Sequence, residues 1–381
     1  MSNLNTTISP NIYRNNWEDL PKELLVIIGK HLESRIDVFT FRAVSTSWRS
    51  AVSFSYRQNQ SSLTLPPPIN ATAVLSPVTI CRLEHQTQGV ACLVKVVEST
   101  SGELRLRNPL SSDLPIRQYP GNNNNIRKSL NLLDFRLIEL ARGYRLNFTT
   151  IPTGSTITKA VLFYGCGILA LFDSRELGYW GFGDENWTIL SDEGTYYDDI
   201  MCYKNQFYVI NNVGIVYWID RSRNLVQYAP LLCGFGHLKN LVESAGHFYV
   251  VDSYLEEEEE AMFEEPRVGL CGRRTVNMKV YRLDEEWGTW VDVDSLGNRV
   301  FVLGKDVCFS VSVDDFPSCQ GNCIYFLDPV LEFVNVRRTI KRFVGRVFRF
   351  DNRSIKMVEC FPTYKRLFSP SMNNLPLSIS A

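Results

Sequence analysis

The residue types that most often perform chemistry are scattered along this 381-residue sequence. Cys319 and Cys323 are four residues apart, but no second pair of Cys or His follows at the spacing of a zinc site. The sequence contains no G-x-S-x-G or H-E-x-x-H motif and no Gly-rich loop that would cradle a phosphate. We therefore predict no catalytic residue, no metal site and no cofactor. The carboxylates that would support a hydrolase, if the fold brought them together, are Asp198, Asp199 and Asp314.

Apolar residues recur with helical spacing between residues 17 and 56. Pro21 suits the first turn of a helix, because its missing N–H would have no partner there. Two further short helices follow, the last of them around Trp48. Three helices in ~40 residues bury little surface by themselves, so we expect a partner to cover part of this unit. The apolar stripe of the first helix consists of Leu24, Leu25, Ile28 and Leu32.

Downstream of residue 77 the spacing changes from helical to strand-like. Short runs rich in β-branched and aromatic residues recur between turn residues, and most of them end in Asp. The runs form groups of three successive strands, which is typical of the meanders of a β-propeller. A β-sandwich is the alternative, but it seldom has more than about ten strands. We predict a propeller of about five to seven blades whose strand-ending aspartates serve turns. The clearest runs are 167–173, 205–211, 214–220, 246–252, 278–284, 298–304, 322–328 and 345–351.

Composition and charge exclude several classes of protein. Hydrophobic residues make up 45% and charged residues 21% of the chain, an ordinary globular composition. The net charge is −1, so no overall basic field attracts nucleic acid or a membrane surface. The longest nearly unbroken apolar run, residues 160–172, is shorter than the ~20 residues that a membrane span requires. The N-terminus does not resemble a secretory signal, so we expect the protein in the nucleus, the cytoplasm or both.

Two charged segments need an interpretation. We interpret the run Glu256–Glu260 as a solvated loop between strands, because like charges repel and extend the chain. Between Arg337 and Arg366, ten Lys or Arg residues stand against two acidic ones. We interpret this segment as a basic outer face of the last blade. Its RRTIKR sequence leaves a nuclear-import signal and a nucleic-acid contact open as alternatives.

The segment LPKELLVIIGKHLESRIDVFTFRAVSTSWRSAV (residues 20–52) resembles an F-box in the order and spacing of its apolar residues. The remainder resembles the kelch-like β-propeller domain of a large plant F-box family. That second resemblance is carried by the Asn108-Pro109-Leu110 triplet and by the stretches YKNQFYVIN and DDFPSCQGNCIYFLD. The chain departs from the family at Ser45-Thr46-Ser47, where Lys, Cys or Arg often precedes the Trp, and in its five-Glu insert.

The resemblance implies the substrate-recognition subunit of an SCF-type E3 ubiquitin ligase. In that family the F-box binds a Skp-type adaptor, which connects it to the cullin and RING subunits. The C-terminal domain holds a target protein for ubiquitination and proteasomal degradation. The receptor itself is not an enzyme, because the chemistry takes place on the ubiquitin-carrying enzyme. The adaptor-binding residues implied by the resemblance are Leu20, Pro21, Leu24, Leu25, Ile28, Leu32, Val44 and Trp48.

The predicted architecture is an α+β multidomain chain, with a small three-helix F-box followed by an all-β propeller-like domain. The predicted segments are a flexible N-terminus at 1–14, an F-box at 15–56, a proline-containing linker at 57–77, a kelch-like propeller at 78–365 and a tail at 366–381. A propeller hydrolase with a helical cap and a nucleic-acid-associated protein stay open as alternatives. We expect no membrane partner and no nucleic acid, and no residue pattern identifies the target protein.

Overall fold

The computed structural model of this protein divides it into two compact units, Met1–Gln60 together with Ala381, and Ser61–Ser380. The residues that the structure describes are 17, 20–32, 35–52, 63–66, 73–85, 91–98, 104–110, 129–130, 135–148, 156–163, 166–190, 194–256, 273–316, 319–335, 338–358, 367–368 and 378–379. The N-terminal segment 1–14 lies outside the described residues.

The first unit contains three short helices, as the helical spacing predicts. They are α1 (Lys22–Lys30), α2 (Arg35–Ala43) and α3 (Thr46–Ala51). The carbonyl of Pro21 accepts hydrogen bonds from the N–H groups of Leu24 at 3.0 Å and Leu25 at 3.2 Å, which starts α1. Ser45 caps α3 by accepting the N–H of Trp48 at 3.3 Å.

The second unit consists of strands in five sheets. Sheet A contains β1 (Leu63–Thr64), β2 (Ala73–His85), β3 (Ala91–Glu98), β4 (Leu104–Arg107), β5 (Ser129–Leu130), β6 (Phe135–Phe148) and β24 (Ser378–Ile379). Sheet B contains β7 (Ile157–Phe163), β8 (Gly167–Phe172), β9 (Leu177–Trp180) and β10 (Thr188–Ile189). Sheet C contains β11 (Tyr197–Tyr203), β12 (Gln206–Asn211), β13 (Val216–Ile219) and β14 (Leu225–Gln227).

Sheets D and E follow in the same style. Sheet D contains β15 (Leu238–Ser244), β16 (His247–Leu255), β17 (Thr275–Asp284) and β18 (Thr289–Val293). Sheet E contains β19 (Arg299–Leu303), β20 (Cys308–Ser312), β21 (Cys323–Asn335), β22 (Arg338–Arg349) and β23 (Ser354–Met357). Sheets B, C and D are four-stranded antiparallel meanders in chain order, whereas in sheet E the strand β19 pairs with β21 in parallel.

Each sheet packs its two faces against two neighbouring sheets. Successive residues of a strand point to opposite faces, so one residue contacts the preceding sheet and the next residue contacts the following one. Five hydrophobic clusters join the sheets in the order A–B, B–C, C–D, D–E and E–A. Paired members of these clusters are Leu75 with Ile168, Leu169 with Val209, Ile210 with Val250, Val251 with Phe301, and Val302 with Leu93. The ring is therefore a closed β-propeller of five blades, within the predicted range.

The innermost strands of the blades are β6, β7, β11, β15 and β20, which lie side by side around the centre. Their first residues meet: Asp198 of β11 accepts the N–H of Lys239 of β15 at 3.0 Å, and Lys159 of β7 pairs with Asp199 of β11. A Cβ on Gly143 of β6 would lie 2.7 Å from the side chain of Val307, so β6 closes against the residue before β20. We call the end of the ring where β7, β11, β15 and β20 begin the mouth end.

The strands extend beyond the predicted propeller. The strand β1 and the first five residues of β2 fall inside 57–77, which the sequence analysis assigned to a linker. The strand β24 falls inside 366–381, assigned to a tail, and it pairs with β4 and β5 of sheet A. A two- or three-residue strand carries too little periodicity to be recognised in the sequence, and Pro66 to Pro68 obscure the first of these.

The acidic run begins nearer to a strand than predicted. Leu255 is the buried last residue of β16, and the N–H of Glu256 donates to the carbonyl of Arg274 at 2.7 Å. Residues 257–260 of the run lie outside the described residues. Among the residues that the structure does describe, no helix is long and apolar enough to cross a membrane.

A buried ion pair closes the ring between sheets A and E and yields a prediction. The Nζ atom of Lys95 lies 2.7 Å from Oδ2 of Asp306, with the two side chains 3% and 8% exposed. Removing one partner of a buried pair leaves an uncompensated charge, so Lys95→Met should lower the free energy of unfolding by about 3–5 kcal/mol. In the double variant Lys95→Met/Asp306→Leu most of this loss should be recovered, because both charges are gone.

Urea unfolding of the full chain measures both changes. The matched control is Lys204→Met, which removes the same charge from an exposed pair with Glu285 and should lower the free energy of unfolding far less than Lys95→Met does. Equal losses in Lys95→Met and Lys204→Met would show that the buried pair does not hold the closing interface.

Candidate functional site

The helical unit has a small core that includes part of the predicted adaptor-binding set. Leu25 is 0% exposed and packs with Val38, Phe41 and Val52. Gly29 lets α1 approach this core closely, since a Cβ there would lie 2.3 Å from a methyl group of Val52. The predicted residues that lie half-buried against the same core are Leu20, Leu32 and Trp48. Four of the predicted residues therefore hold the helices together.

The other predicted residues lie on the surface. Leu24 is 46% exposed, Ile28 is 39% exposed, and Pro21 and Val44 are exposed as well. Leu24 and Ile28 are four residues apart on α1, so they share one face of the helix. Ile27 is 50% exposed beside them and was not among the predicted residues. Ile27 lies outside the predicted apolar stripe of α1, although residues three apart, such as Leu24 and Ile27, lie on the same side of a helix.

Hydrogen bonds from two arginine side chains join the C-terminal end of α2 to the C-terminal end of α3. The Arg42 guanidinium donates to the carbonyl of Arg49 at 2.9 Å and also to that of Val52. The Arg49 side chain donates in turn to the carbonyl of Arg42 at 3.3 Å. The indole N–H of Trp48 donates to the carbonyl of Trp17 at 3.1 Å. These bonds use backbone carbonyls, and among the described residues of this unit the apolar face of α1 is left exposed.

At the centre of the propeller two adjacent aspartates are held by different cations. The register of β11 shifts between Tyr197 and Asp199, which buries both Asp198 and Asp199. Asp198 forms an ion pair with Arg175, and Asp199 pairs with Lys159 at 2.5 Å. Asp199 also accepts the backbone N–H of Leu241 at 2.9 Å. Both carboxylates are thus engaged in joining neighbouring blades.

The surroundings of Lys159 preserve its charge. Burial disfavours its ammonium group, but Asp199, followed by Cys308 and Asp306, outweighs burial and raises the pKa of Lys159. The Cys308 thiol lies 3.9 Å from Asp199, and burial raises its pKa to about 12. The thiol therefore stays protonated and unreactive at neutral pH.

The three carboxylates of the hydrolase alternative are not brought into one site. Asp314 is in a 3-10 turn after β20, where it accepts hydrogen bonds from Asn298 at 2.6 Å and Ser312 at 2.9 Å. None of Asp198, Asp199 and Asp314 lines the cavity of about 320 Å³ at the mouth end. Within the described residues no group of three His, Cys, Asp or Glu is placed to hold a metal ion.

The strand-ending aspartates serve two different purposes. Asp220 accepts the N–H groups of Ser222 and Asn224, both at 2.8 Å, which is the predicted role in a turn. Asp252 and Asp328 are instead buried. Asp328 accepts the hydroxyl of Thr275 at 2.7 Å and pairs with Arg346 at 3.1 Å, joining blades D and E. Burial raises the pKa of Asp328 against the opposing effect of these partners.

Large apolar side chains are exposed on loops at the mouth end. Phe235 is 88% exposed, and Tyr196, Val213 and Leu231 are each about half exposed. Backbone hydrogen bonds join the loops that carry these side chains. The N–H of Asn212 donates to the carbonyl of Tyr196 at 2.8 Å, and the N–H of Leu232 donates to the carbonyl of Gly214 at 3.1 Å. We call Tyr196, Val213, Leu231 and Phe235 the mouth patch. The sequence analysis did not identify it, although the loop LLCGFGH carries apolar residues in a glycine-rich turn.

The basic C-terminal segment uses several of its charges inside the sheets. Arg349 forms an ion pair with Asp351, and Arg353 donates to the carbonyl of Met278 at 3.0 Å. Arg346 makes a third such contact, with Asp328. Within the part of 337–366 that the structure describes, these three arginines are therefore engaged by groups of the blades, so the basic outer face that we predicted is reduced by three of its ten basic residues.

The KIB1-4 β-propeller family model matches residues 64–355 of this chain. The chain belongs to the KIB1-4 β-propeller family. F-box protein SKIP23 from Arabidopsis thaliana is 30% identical over 391 residues, which cover 93% of this chain and 94% of that protein. A putative F-box protein from the same plant is 28% identical, covering 90% of this chain and 94% of its own length. The predicted membership of a plant F-box and propeller family is confirmed, and the match describes the propeller as the KIB1-4 type without specifying the kelch-like detail.

One solved structure is also similar in part. A β-fructofuranosidase from Schwanniomyces occidentalis aligns with 75% of this chain and 62% of its own at 8% identity, with a TM-score of 0.25. This similarity is too low to support an inference about the KIB1-4 chain.

The division of α1 into a buried and an exposed side gives a testable contrast. Leu25→Ala should destabilise the helical unit by about 2–5 kcal/mol, because it opens a cavity in the core. Leu24→Ala, one residue earlier and on the surface, should change its stability by no more than about 0.5 kcal/mol. Hydrogen exchange of the α1 amides in the full chain measures both. Similar protection in the two variants would contradict the assigned orientation of the helix.

Proposed function

We propose that this chain is the substrate-recognition subunit of an SCF-type E3 ubiquitin ligase and binds a Skp-type adaptor through its helical unit. The observation that carries this proposal is the apolar face of α1. Leu24, Ile27 and Ile28 are 46%, 50% and 39% exposed on a helix whose opposite side already supplies the core. Clustered exposed apolar side chains of this kind mark a protein-binding surface.

The relatives support the same assignment. The two Arabidopsis proteins described above are named F-box proteins, and their similarity covers 93% and 90% of this chain. An F-box is the part of such a receptor that binds the adaptor, and the adaptor connects it to cullin and RING subunits.

The structure suggests separate roles within the predicted adaptor-binding set. Leu20, Leu25, Leu32 and Trp48 position the helices, because they form or cover the core. Contact with the adaptor is assigned to the exposed members Pro21, Leu24, Ile28 and Val44, with Ile27 added to them. A few large apolar anchors of this sort supply most of the binding energy of a helix-mediated interface.

We assign capture of the target protein to the mouth patch of the propeller. Phe235 is the most exposed large apolar side chain of the described chain, at 88%. Aromatic residues are enriched at the energetic centres of protein interfaces, because they bury a large area at a small entropic cost. A target held there gains a high effective concentration beside the ubiquitin-carrying enzyme, which performs the chemistry. Ubiquitination would lead to proteasomal degradation in the nucleus or the cytoplasm.

The two alternatives receive less support. The hydrolase requires convergent carboxylates, but Asp198 and Asp199 each pair with a cation, and Asp314 accepts hydrogen bonds from Asn298 and Ser312. The nucleic-acid-associated protein requires available basic groups, but Arg346, Arg349 and Arg353 already bind carboxylates or a carbonyl within the sheets.

Substitution of the α1 face tests adaptor binding. Leu24→Ala/Ile28→Ala removes two exposed anchors without opening the core, so it should weaken binding to a Skp-type adaptor at least tenfold, or by ~1.4 kcal/mol. Isothermal titration of the full chain with purified adaptor measures the affinity. The matched control is Lys22→Ala, because Lys22 lies two residues from Leu24 and hence on the other side of the helix.

The outcomes of this titration are distinct. An unchanged affinity in the double variant, with the wild type binding, would mean that the adaptor uses another surface. If the wild-type chain binds no Skp-type adaptor from its own organism, the ligase proposal is wrong.

Substitution of the mouth patch tests target capture. Phe235→Ala should reduce recovery of proteins that co-purify with the adaptor-bound chain and accumulate when the proteasome is inhibited, while adaptor binding stays intact. Trp287→Ala is the matched control, because Trp287 is 76% exposed in the β17–β18 turn at the opposite end of its sheet. Quantitative mass spectrometry compares the two variants. Equal losses, or a loss in the Trp287 variant alone, would contradict the assignment to the mouth end.

A further inference from the structure

Two exposed cysteines lie at the interface of blades B and C, away from the mouth end. Cys166 is in the turn between β7 and β8, and Cys202 is the next-to-last residue of β11. Because β7 and β11 both begin at the mouth end, they both end at the opposite end of the ring, which we call the base end. The proposed receptor function uses neither thiol.

The side chain of Cys202 faces blade B. Successive residues of a strand point to opposite faces of the sheet, so residues two apart share a face. Ile200 of β11 belongs to the hydrophobic cluster between sheets B and C, whereas Met201 and Tyr203 pack in the cluster between sheets C and D. Cys202 follows Ile200 by two residues, so its thiol lies on the face of β11 that packs against blade B.

Ring contacts place Cys166 beside the same face. The N–H of Cys166 donates to the carbonyl of Phe163 at 3.1 Å, and the carbonyl of Cys166 accepts the hydroxyl of Tyr179. The ring centroids of Phe163 and Tyr179 lie 6.2 Å and 6.4 Å from that of Phe207. Phe207 is the cross-strand partner of Cys202. The turn that carries Cys166 therefore meets blade C at the strand pair that carries Cys202.

The electrostatic environment of Cys202 agrees with this placement. Burial raises the pKa of the Cys202 thiol, and the nearby Cys166 thiol raises it further, whereas the backbone N–H of Gln206 lowers it. A thiolate disfavours the ionisation of a second thiol only over a short distance. Together with the ring contacts of Phe207, this effect identifies Cys166 and Cys202 as neighbouring thiols on two different blades.

We propose that Cys166 and Cys202 are a modification site for hydrogen peroxide, which oxidises the two thiols to a disulfide that joins blades B and C. Peroxide converts the thiol of Cys166 to a sulfenic acid and releases one water. The sulfur of Cys202 then attacks the sulfenic sulfur and forms the S–S bond. The sulfenic oxygen leaves with the thiol proton of Cys202 as a second water, so two electrons pass from the two sulfurs to one peroxide.

The order of the two steps follows from the environments of the thiols. The thiolate is the form that reacts with peroxide, and the raised pKa of Cys202 lowers its thiolate fraction. The first oxidation therefore takes place at Cys166, and Cys202 is the thiol that closes the bond. Both residues are exposed, so peroxide reaches the site without opening the ring.

Oxidation of the full chain with hydrogen peroxide tests the site. The remaining thiols are alkylated, and the digested chain is analysed by mass spectrometry without reduction. We expect a peptide pair linked through Cys166 and Cys202 as the main disulfide, and dithiothreitol should reverse it. The oxidised chain should unfold at a temperature about 5 °C higher than the reduced chain, because the new bond restricts the unfolded state. Absence of the linked pair, or a disulfide between two copies of the chain in its place, would overturn the proposal.

Single substitutions test the roles of the two thiols. Cys202→Ser removes the thiol that closes the bond, so sulfenic acid should persist at Cys166 and its labelling by dimedone should rise about tenfold over the wild type. Cys233→Ser is the matched control, since it removes an exposed thiol from the loop between β14 and β15 at the mouth end. This control should change neither the linked pair nor the labelling of Cys166.

Circular dichroism of the reduced variants verifies their folding. Equal dimedone labelling of Cys166 in the wild type and in the Cys202→Ser variant would contradict the assigned roles. Loss of the linked pair in the Cys233→Ser variant would show that the bond does not form directly between Cys166 and Cys202, and would overturn the proposal.

Discussion

The closing interface between the last and first sheets is the contact on which the rest of the propeller depends. Every blade has two apolar faces, and each face is covered only because the ring has no end. The cluster that joins Val302 and Val311 of sheet E to Ile80 and Leu93 of sheet A brings together residues more than two hundred positions apart. Without it, two faces and the edges beside them would be open to water. The buried pair of Lys95 and Asp306 lies at this same interface.

Closure also creates the sites at the mouth end. The β19–β20 turn reaches the central strands only because sheet E returns to sheet A, and it brings Lys305 and Asp306 beside β6 and β7. Other buried charges pair between or within blades, as in Asp199 with Lys159 and Asp328 with Arg346. Such pairs are satisfied only in one register, so they favour a single arrangement of the blades as well as contributing to stability.

Much of this fold is readable from the sequence, because strand and helix periodicities differ and repeated meanders have few closed solutions. The runs 205–211, 246–252 and 298–304 correspond to β12, β16 and β19. The repeated strand pattern does not indicate the different roles of the aspartates that end these runs. Asp220 and Asp252 end similar runs, yet one holds a turn and the other is buried, since only the position of the run within its blade distinguishes them. The short strands β1 and β24 depend on tertiary pairing rather than local propensity.

The same limit applies to the docking face of the helical unit. Leu24 and Leu25 are identical neighbours in the sequence, and the packing of α1 against Val38, Phe41 and Val52 decides which of them is buried. Because so small a core contributes little stability, the exposed face of α1 has a physical consequence for the proposed receptor. A partner that binds the folded helices, but not the unfolded segment, stabilises them by mass action. The five-bladed ring already covers its own faces and does not require this help. In the proposed receptor, adaptor binding therefore raises the stability of the helical unit, whereas stability of the propeller depends on closure.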